Sequence, residues 1–417
     1  MKNKNKHLMR AFAAALLVST SGLYAKADVI TDWNLITVKA TKVAKQNSNY
    51  GSRTEAIEAI AVYDAVNSIK QYGTPYHYYG HPTGNASAIA AAAQAAHDVL
   101  VGIFPNQKPS LDSALTVSLG TANDGDVTAG EAVGAASASD ILSLRVSDGA
   151  NPDSSYANPT NAGIGQYRLT PGKFVPGVDV QWGKVKPFLL TSNDQFLPEA
   201  PPAIGSDAYT KALAEVESLG SATSTVRTDD QTHIAQFYKQ DAELTVNEGA
   251  RLLALAHPKS IQEEALIFAL VDIAEADARI EVWGGKYLYL FWRPVTALNA
   301  NADGTVTNNY TKWTPLINTP AHPSYPSGHS ATVTAGYDVL KAFYGDDNTI
   351  ELHTTTAGEP SRAVASLSKV EWENGYSRIY GGIHYIFENN AAQNVGRKVA
   401  AFVLANGPKS NKAFTGK

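Results

Sequence analysis

Three short blocks in the C-terminal half of the chain decide its fold and its chemistry: KYLYLFWRP at residues 286–294, HPSYPSGH at residues 322–329 and SRIYGGIHY at residues 377–385. They contribute three cations, Lys286, Arg293 and Arg378, which are costly to gather in one place unless a strongly negative group lies among them. Guanidinium groups pair with tetrahedral oxyanions through parallel N–H bonds, and an ammonium adds a compact charge. The blocks therefore predict a site for a phosphate-like anion.

The second block is typical of a turn that opens a helix. Ser327, Gly328 and His329 precede a run of small and apolar residues, and the first N–H groups of a helix attract anions. Gly328 would let the backbone approach the anion closely. In such a cationic site we expect the pKa values of His329 and His384 to be lowered. One neutral ring nitrogen could then ligate or attack, while the other histidine moves protons.

The spacing within the blocks predicts convergence. Lys286 and Arg293 are seven residues apart, so on one helix they would share a face, roughly 10.5 Å apart along the axis. Pro294 predicts that this helix ends or kinks at Arg293. The glycines at 381–382 predict a bend within the third block.

Together the blocks resemble the signature shared by vanadium-dependent haloperoxidases and the type 2 phosphatidic acid phosphatase superfamily, which includes bacterial acid phosphatases. Each block alone is more often a basic helix face, a turn or a structural histidine, and it is their order that favours a site. Stretches at residues 62–69 and 96–105 also resemble the N-terminal half of secreted bacterial haloperoxidase-like proteins. One departure is Glu388, where many phosphatase members carry Asp, and this difference argues against an Asp-like orienting role.

The resemblance implies vanadate as cofactor, without haem or flavin, and hydrogen peroxide and halide as substrates. It implies that His384 bonds the vanadium through Nε2, that His329 is the acid-base group and that Lys286 also polarises the peroxide oxygen. The residues implied to hold the vanadate oxygens are Lys286, Arg293, Ser327, the Gly328 N–H and Arg378.

Two alternatives remain open at this point. In a phosphatase acting on phosphate esters, His384 would be the nucleophile and His329 would protonate the leaving oxygen. A non-catalytic oxyanion-binding protein is the third possibility, although it has no need of His329. His322, which resembles a histidine of bromide- and iodide-oxidising relatives, the Phe291-Trp292 pair and the long N-terminal half favour the peroxidase.

Residues 1–27 read as a signal peptide, with a basic start, an apolar run and an Ala-Lys-Ala site that predicts cleavage after Ala27. We therefore expect secretion or a periplasmic location. The 417 residues include no cysteine and carry a net charge of −5, which argues against disulfides, thiol catalysis and a nucleic-acid partner. No later segment predicts membrane insertion. The sequence does not fix the oligomeric state; a homodimer is one arrangement it allows.

Helical periodicity dominates the rest of the chain and predicts an all-α bundle. We expect an N-terminal helical half at 28–148, a Pro- and Gly-rich loop region at 149–206 and a C-terminal helical half at 207–417 that carries the site. The loop is either folded over the site or a linker between the halves. Helices are predicted at 54–69, 85–104, 129–146, 207–219, from 228, 246–256, 261–292, 331–344, 361–380 and 388–405, with a short hairpin at 304–308.

Overall fold

The computed structural model describes residues 28–411 except 83, 153–162, 173, 302 and 307–309. This part of the chain forms an all-α fold, as predicted, with one small sheet. The predicted signal peptide lies outside the described residues. No helix among those described is long and apolar enough to cross a bilayer.

The helices are α1 (Val29–Val43), α2 (Ser48–Lys70), α3 (Ala88–Ile103), α4 (Lys108–Leu119), α5 (Val127–Arg145), α6 (Asp207–Gly220), α7 (Asp229–Phe237), α8 (Ala242–Ala256), α9 (Ile261–Tyr289), α10 (Pro294–Ala297), α11 (Gly328–Tyr344), α12 (Leu367–Tyr380) and α13 (Ile386–Asn406). Most of the predicted helices are present with shifted ends. Helices α1, α4 and α10 were not predicted. A capping box of Thr228 and Gln231 opens α7, in agreement with the helix predicted from 228.

Helix α9 is the centre of the molecule. It begins at a capping box of Ser260 with Glu263 and is buried on nearly all sides. It packs against α2 of the N-terminal half and against α11 and α13 of the C-terminal half. A helix surrounded in this way fixes the position of every side chain along it.

The prediction that Lys286 and Arg293 lie on one helix face was wrong. Helix α9 ends at Tyr289 because Leu290 adopts the left-handed conformation, with φ of 48°. Arg293 is extended and precedes α10, where Pro294 occupies the first turn. The two cations therefore approach each other through a chain reversal and not along a helix.

A small antiparallel sheet pairs β1 (Ile350–Leu352) with β2 (Arg362–Val364). Strand β2 occupies the start of the helix predicted at 361–380, and α12 begins only after Ser366, whose side chain accepts the Lys369 N–H. The hairpin predicted at 304–308 is not formed by residues 304–306, and 307–308 lie outside the described residues.

Residues 188–196 of the loop region lie along α9 and are held by its carboxylates. Asp277 accepts the N–H groups of Phe188, Leu189 and Leu190 at 2.6, 2.8 and 3.0 Å. Glu281 accepts the Phe196 N–H at 2.8 Å. These contacts agree with a loop folded over the bundle. The boundaries of the two halves stay a prediction.

Candidate active site

A cavity of about 560 Å³ lies where α2, α9, α11 and α12 meet the loop region. Four of the residues predicted for the site line it together with His322: Gly328, His329, Arg378 and His384. Lys286, Arg293 and Ser327 do not line the cavity but are fully buried directly behind its wall. The structure thus brings all eight predicted residues into one region, in an inner and an outer layer.

His384 follows the bend at 381–382 that ends α12. Its Nδ1 lies 2.6 Å from Oε2 of Glu388, which also accepts the Ser324 hydroxyl at 2.8 Å. The expectation that Glu388 would take no orienting position was wrong, because one extra methylene still lets the carboxylate reach the ring. With Nδ1–H assigned as the donor to Glu388, Nε2 keeps its lone pair.

Nε2 of His384 faces the guanidinium of Arg293, with 3.1 Å between Nε2 and Nη1. Arg293 also donates to the carbonyls of Ile383 at 2.8 Å and His322 at 3.0 Å, and its Nη2 lies 3.0 Å from Nδ1 of His322. Burial, followed by the charge of Arg293, holds the pKa values of His384 and His322 well below the usual range. Both rings are therefore neutral at pH 7.

The ammonium of Lys286 is enclosed by the second block. It donates to the carbonyl oxygens of Pro323, Ser324 and Pro326 at 3.1, 2.9 and 2.5 Å. Burial, followed by repulsion from Arg293, lowers its pKa well below the usual value. Lys286 thus holds the turn before α11 in place as well as adding charge behind it.

The remaining predicted residues lie at the first turn of α11 and the end of α12. Ser327 caps α11 by accepting the Ser330 N–H, as the turn pattern predicted. A Cβ added to Gly328 would lie 3.1 Å from the Trp283 ring, so only glycine leaves the backbone open here. His329 Nε2 donates to the Gln240 carbonyl at 2.9 Å. Burial and then the charge of Arg378 lower the pKa of His329 well below its usual range.

Sequence reasoning missed a fourth buried cation, Arg279, which lines the cavity from α9. It donates to Asn49 Oδ1 at 2.8 Å and to the Thr332 hydroxyl at 3.1 Å. The signal was present, because Arg279 precedes Lys286 by the same seven residues that separate Lys286 from Arg293. Asp179 and Asn49 of the cavity wall carried no comparable signal.

The donor set fits a tetrahedral oxyanion. Within the described residues, Lys286, Arg293 and Arg378 form no ion pair with a carboxylate, and each donates to backbone carbonyls or neutral side chains. Glu388 offsets part of the charge of Lys286 and Arg293 without forming an ion pair with either. A bound anion would therefore be favoured among the three cations. His384 Nε2 offers an unprotonated nitrogen to the central atom of such an anion.

Fold and site together define the class as an α-helical protein with a candidate oxyanion site between its helices. Comparison with known proteins identifies the class more closely. Residues 266–410 match the family described as the VCPO second helical-bundle domain. The vanadium chloroperoxidase of Curvularia inaequalis is 26% identical over 231 residues, which is 47% of this chain and 37% of that protein. The chain therefore spans well under half the length of this curated relative.

Two solved structures share the fold. A bacterial vanadium-dependent iodoperoxidase superimposes with a TM-score of 0.78 at 23% identity, covering 90% of this chain and 95% of that one. An apo-type bacterial vanadium-dependent chloroperoxidase gives a TM-score of 0.68 at 16% identity over 86% and 94% of the two chains. The matched family model and the vanadium chloroperoxidase relative agree with the resemblance to vanadium haloperoxidases that the three sequence blocks carry.

Proposed function

We propose that the protein is an exported, vanadate-dependent haloperoxidase that oxidises bromide or iodide with hydrogen peroxide to hypohalous acid. One observation carries the proposal: an unprotonated His384 Nε2 faces Arg293 within a group of buried cations that form no ion pair with a carboxylate among the described residues, and His329 lies in the wall of the same cavity. Export rests on the leader predicted at 1–27.

The residues that would hold vanadate form two layers. His384 would bond the vanadium, while Arg378 and the Gly328 N–H would donate to oxygens from the cavity wall. Lys286, Arg293 and Ser327 would act from behind that wall, through charge and by fixing the inner layer. Bound vanadate supplies a Lewis acid that activates hydrogen peroxide toward attack by halide.

His329 is the proposed proton-transfer group. Because its Nε2–H donates to the Gln240 carbonyl, the neutral ring keeps its lone pair on Nδ1. The lowered pKa keeps that nitrogen unprotonated at neutral pH. It can therefore take a proton from incoming peroxide and return it to the product.

His322 is the proposed determinant of halide choice. Its ring lies in the cavity wall, 4.8 Å from that of Trp283 by ring centroids, and is held by Arg293. A neutral imidazole beside an indole gives a polarisable surface, which suits a large halide better than chloride. The iodoperoxidase among the structural relatives is consistent with this choice.

The proposal is tested by loading the purified full-length protein with orthovanadate. We expect peroxide-dependent oxidation of iodide and bromide, with chloride much slower, and no activity before vanadate is added. The same preparation without vanadate is assayed for hydrolysis of an aryl phosphate. Brisk phosphatase turnover with no halogenation at any vanadate level would overturn the proposal in favour of the phosphohistidine enzyme.

A further inference from the structure

A second charged cluster, outside the candidate active site, lies in the core where α2 and α9 cross. Glu55 of α2 and Asp272 and Glu275 of α9 are fully buried, and one carboxylate oxygen from each lies within 4.8 Å of the others. Asn247 of α8 borders them and donates to Glu55 Oε2 at 3.4 Å and Asp272 Oδ1 at 3.2 Å. Three acids from two halves of the chain thus face one point.

Four oxygens of these three acids have no hydrogen-bond partner among the described residues. Glu55 Oε1, Asp272 Oδ2 and both oxygens of Glu275 accept no hydrogen bond from any described residue. The neighbouring Arg251 does not supply one, because its Nη1 donates to Asn34. Burying an unpaired carboxylate costs several kcal/mol, and three together repel one another as well. Such an arrangement calls for a cation at its centre.

We propose that Glu55, Asp272 and Glu275 bind a divalent cation of the size of Ca²⁺. Carboxylate oxygens are the ligands that hard cations prefer. Magnesium usually keeps several water ligands, whereas calcium accepts a shell made largely of protein oxygens. A site this deeply buried therefore suits calcium, and the three carboxylate oxygens lie within 4.8 Å of one another, close enough for one cation to contact them all. With four free oxygens, bidentate binding by Glu275 completes half of a typical calcium shell.

The site would tie the two halves of the molecule together close to the active site. Glu275 lies one helical turn before Arg279, which lines the cavity, and Lys286 follows two turns later on the same face of α9. A cation bound by both α2 and α9 would fix the position of this face of α9 relative to the N-terminal half. The competing arrangement is a set of protonated acids, since burial and mutual repulsion raise the pKa values of Glu55 and Glu275 well above the usual range.

The test uses the full-length protein without vanadate, so that its outcome is independent of the halogenation assay. Metal content is measured as purified, after prolonged dialysis against EDTA, and after calcium is restored. We expect one calcium ion per chain, lost in EDTA and regained. We also expect the midpoint of thermal unfolding to rise by roughly 3–5 °C at calcium one hundred times its dissociation constant, and less with magnesium.

Two glutamine substitutions on α9 separate the site from general burial of acids. Glu275→Gln is expected to lower bound calcium at least tenfold and to abolish the thermal shift. Glu264→Gln, which changes another buried acid with an unpartnered oxygen on the same helix, is the matched control and should keep both. If Glu275→Gln does not fold, Glu55→Gln is used for the same measurement. Wild-type protein with no bound calcium and no thermal shift, or equal losses in Glu264→Gln, would overturn the proposal.

Discussion

The two charged regions of α9 differ in whether their buried charged groups have hydrogen-bond partners. Near its C-terminal end, Lys286 is surrounded by three carbonyl oxygens, and Arg293 beyond the helix donates to two more. Near the middle of the same face, Asp272 and Glu275 keep three oxygens without any partner among the described residues. Lys286 and Arg293 are thus hydrogen-bonded to backbone carbonyl oxygens, whereas the two acids have carboxylate oxygens without a partner among the described residues.

This difference shows two ways to prepare a site for an ion. A cationic site whose side chains are held by carbonyl oxygens is rigid before an anion binds. The anion can therefore enter and leave without reorganising the site. A bare acidic cluster is stable only when its charge is removed, by a cation or by protons. The first is suited to an exchangeable ligand and the second to a permanent one.

The strongest test of the cationic region is a substitution of His329. Replacing His329 by Ala should reduce halide oxidation at least about 100-fold, because the proposed proton-transfer group is lost. Vanadate binding, measured by equilibrium dialysis, should stay within a few-fold of the wild type, since the cations are untouched. His384→Ala, by contrast, should no longer retain vanadate. An equal loss of vanadate binding in both variants would show that His329 is one of the residues that bind vanadate.

A smaller effect is expected from Glu388→Gln. Because Glu388 holds the Nδ1 side of His384, its loss should lower vanadate affinity or turnover about 10–100-fold. Glu388→Asp, which restores the residue of many phosphatases, should recover part of the loss. The measurement is vanadate affinity together with the pH profile of iodide oxidation. An unchanged profile in Glu388→Gln would mean that the carboxylate has only a packing role.

Asp277 lies between the two charged regions and tests whether all acids of α9 behave alike. It accepts three backbone N–H groups, so it needs no cation. Asp277→Asn should reduce the free energy of unfolding by about 2 kcal/mol. Urea denaturation with and without calcium is the measurement, and the calcium-dependent shift should be the same as in the wild type. If Asp277→Asn abolishes the calcium-dependent shift in urea denaturation, Asp277 also takes part in calcium binding.

The smallest effect is expected at Glu281. Burial raises the pKa of this carboxyl group to about 8, although the hydrogen bond from the Phe196 N–H opposes the increase. A carboxyl that holds its proton more tightly in the folded state stabilises below its unfolded pKa of roughly 4.3, and this contribution is lost as the pH rises through about 8. Glu281→Gln should therefore gain thermal stability relative to wild type as the pH increases from 5 to 9. A difference that does not depend on pH would show that Glu281 is ionised in the fold.

The sequence predicted the fold class and the composition of the candidate site, because both depend on local signals. Helical periodicity needs only one face of apolar residues, and the capping pattern around Ser327 fixes where α11 starts. The end of α9 was placed incorrectly because the left-handed Leu290 has no signal of its own. The contact of Glu388 with His384 was not predicted, because it depends on where α13 begins.

The order of residues along the chain was enough to predict which side chains gather at the candidate site: two histidines, three cations and a glycine turn. The tertiary fold places Lys286 and Arg293 behind the cavity wall and Arg279 in that wall. It also brings Glu55 close to Asp272 and Glu275 in the core. The physical reason is distance along the chain. Local propensity acts over a few residues, whereas solvation of a buried charge depends on atoms that only folding brings within reach.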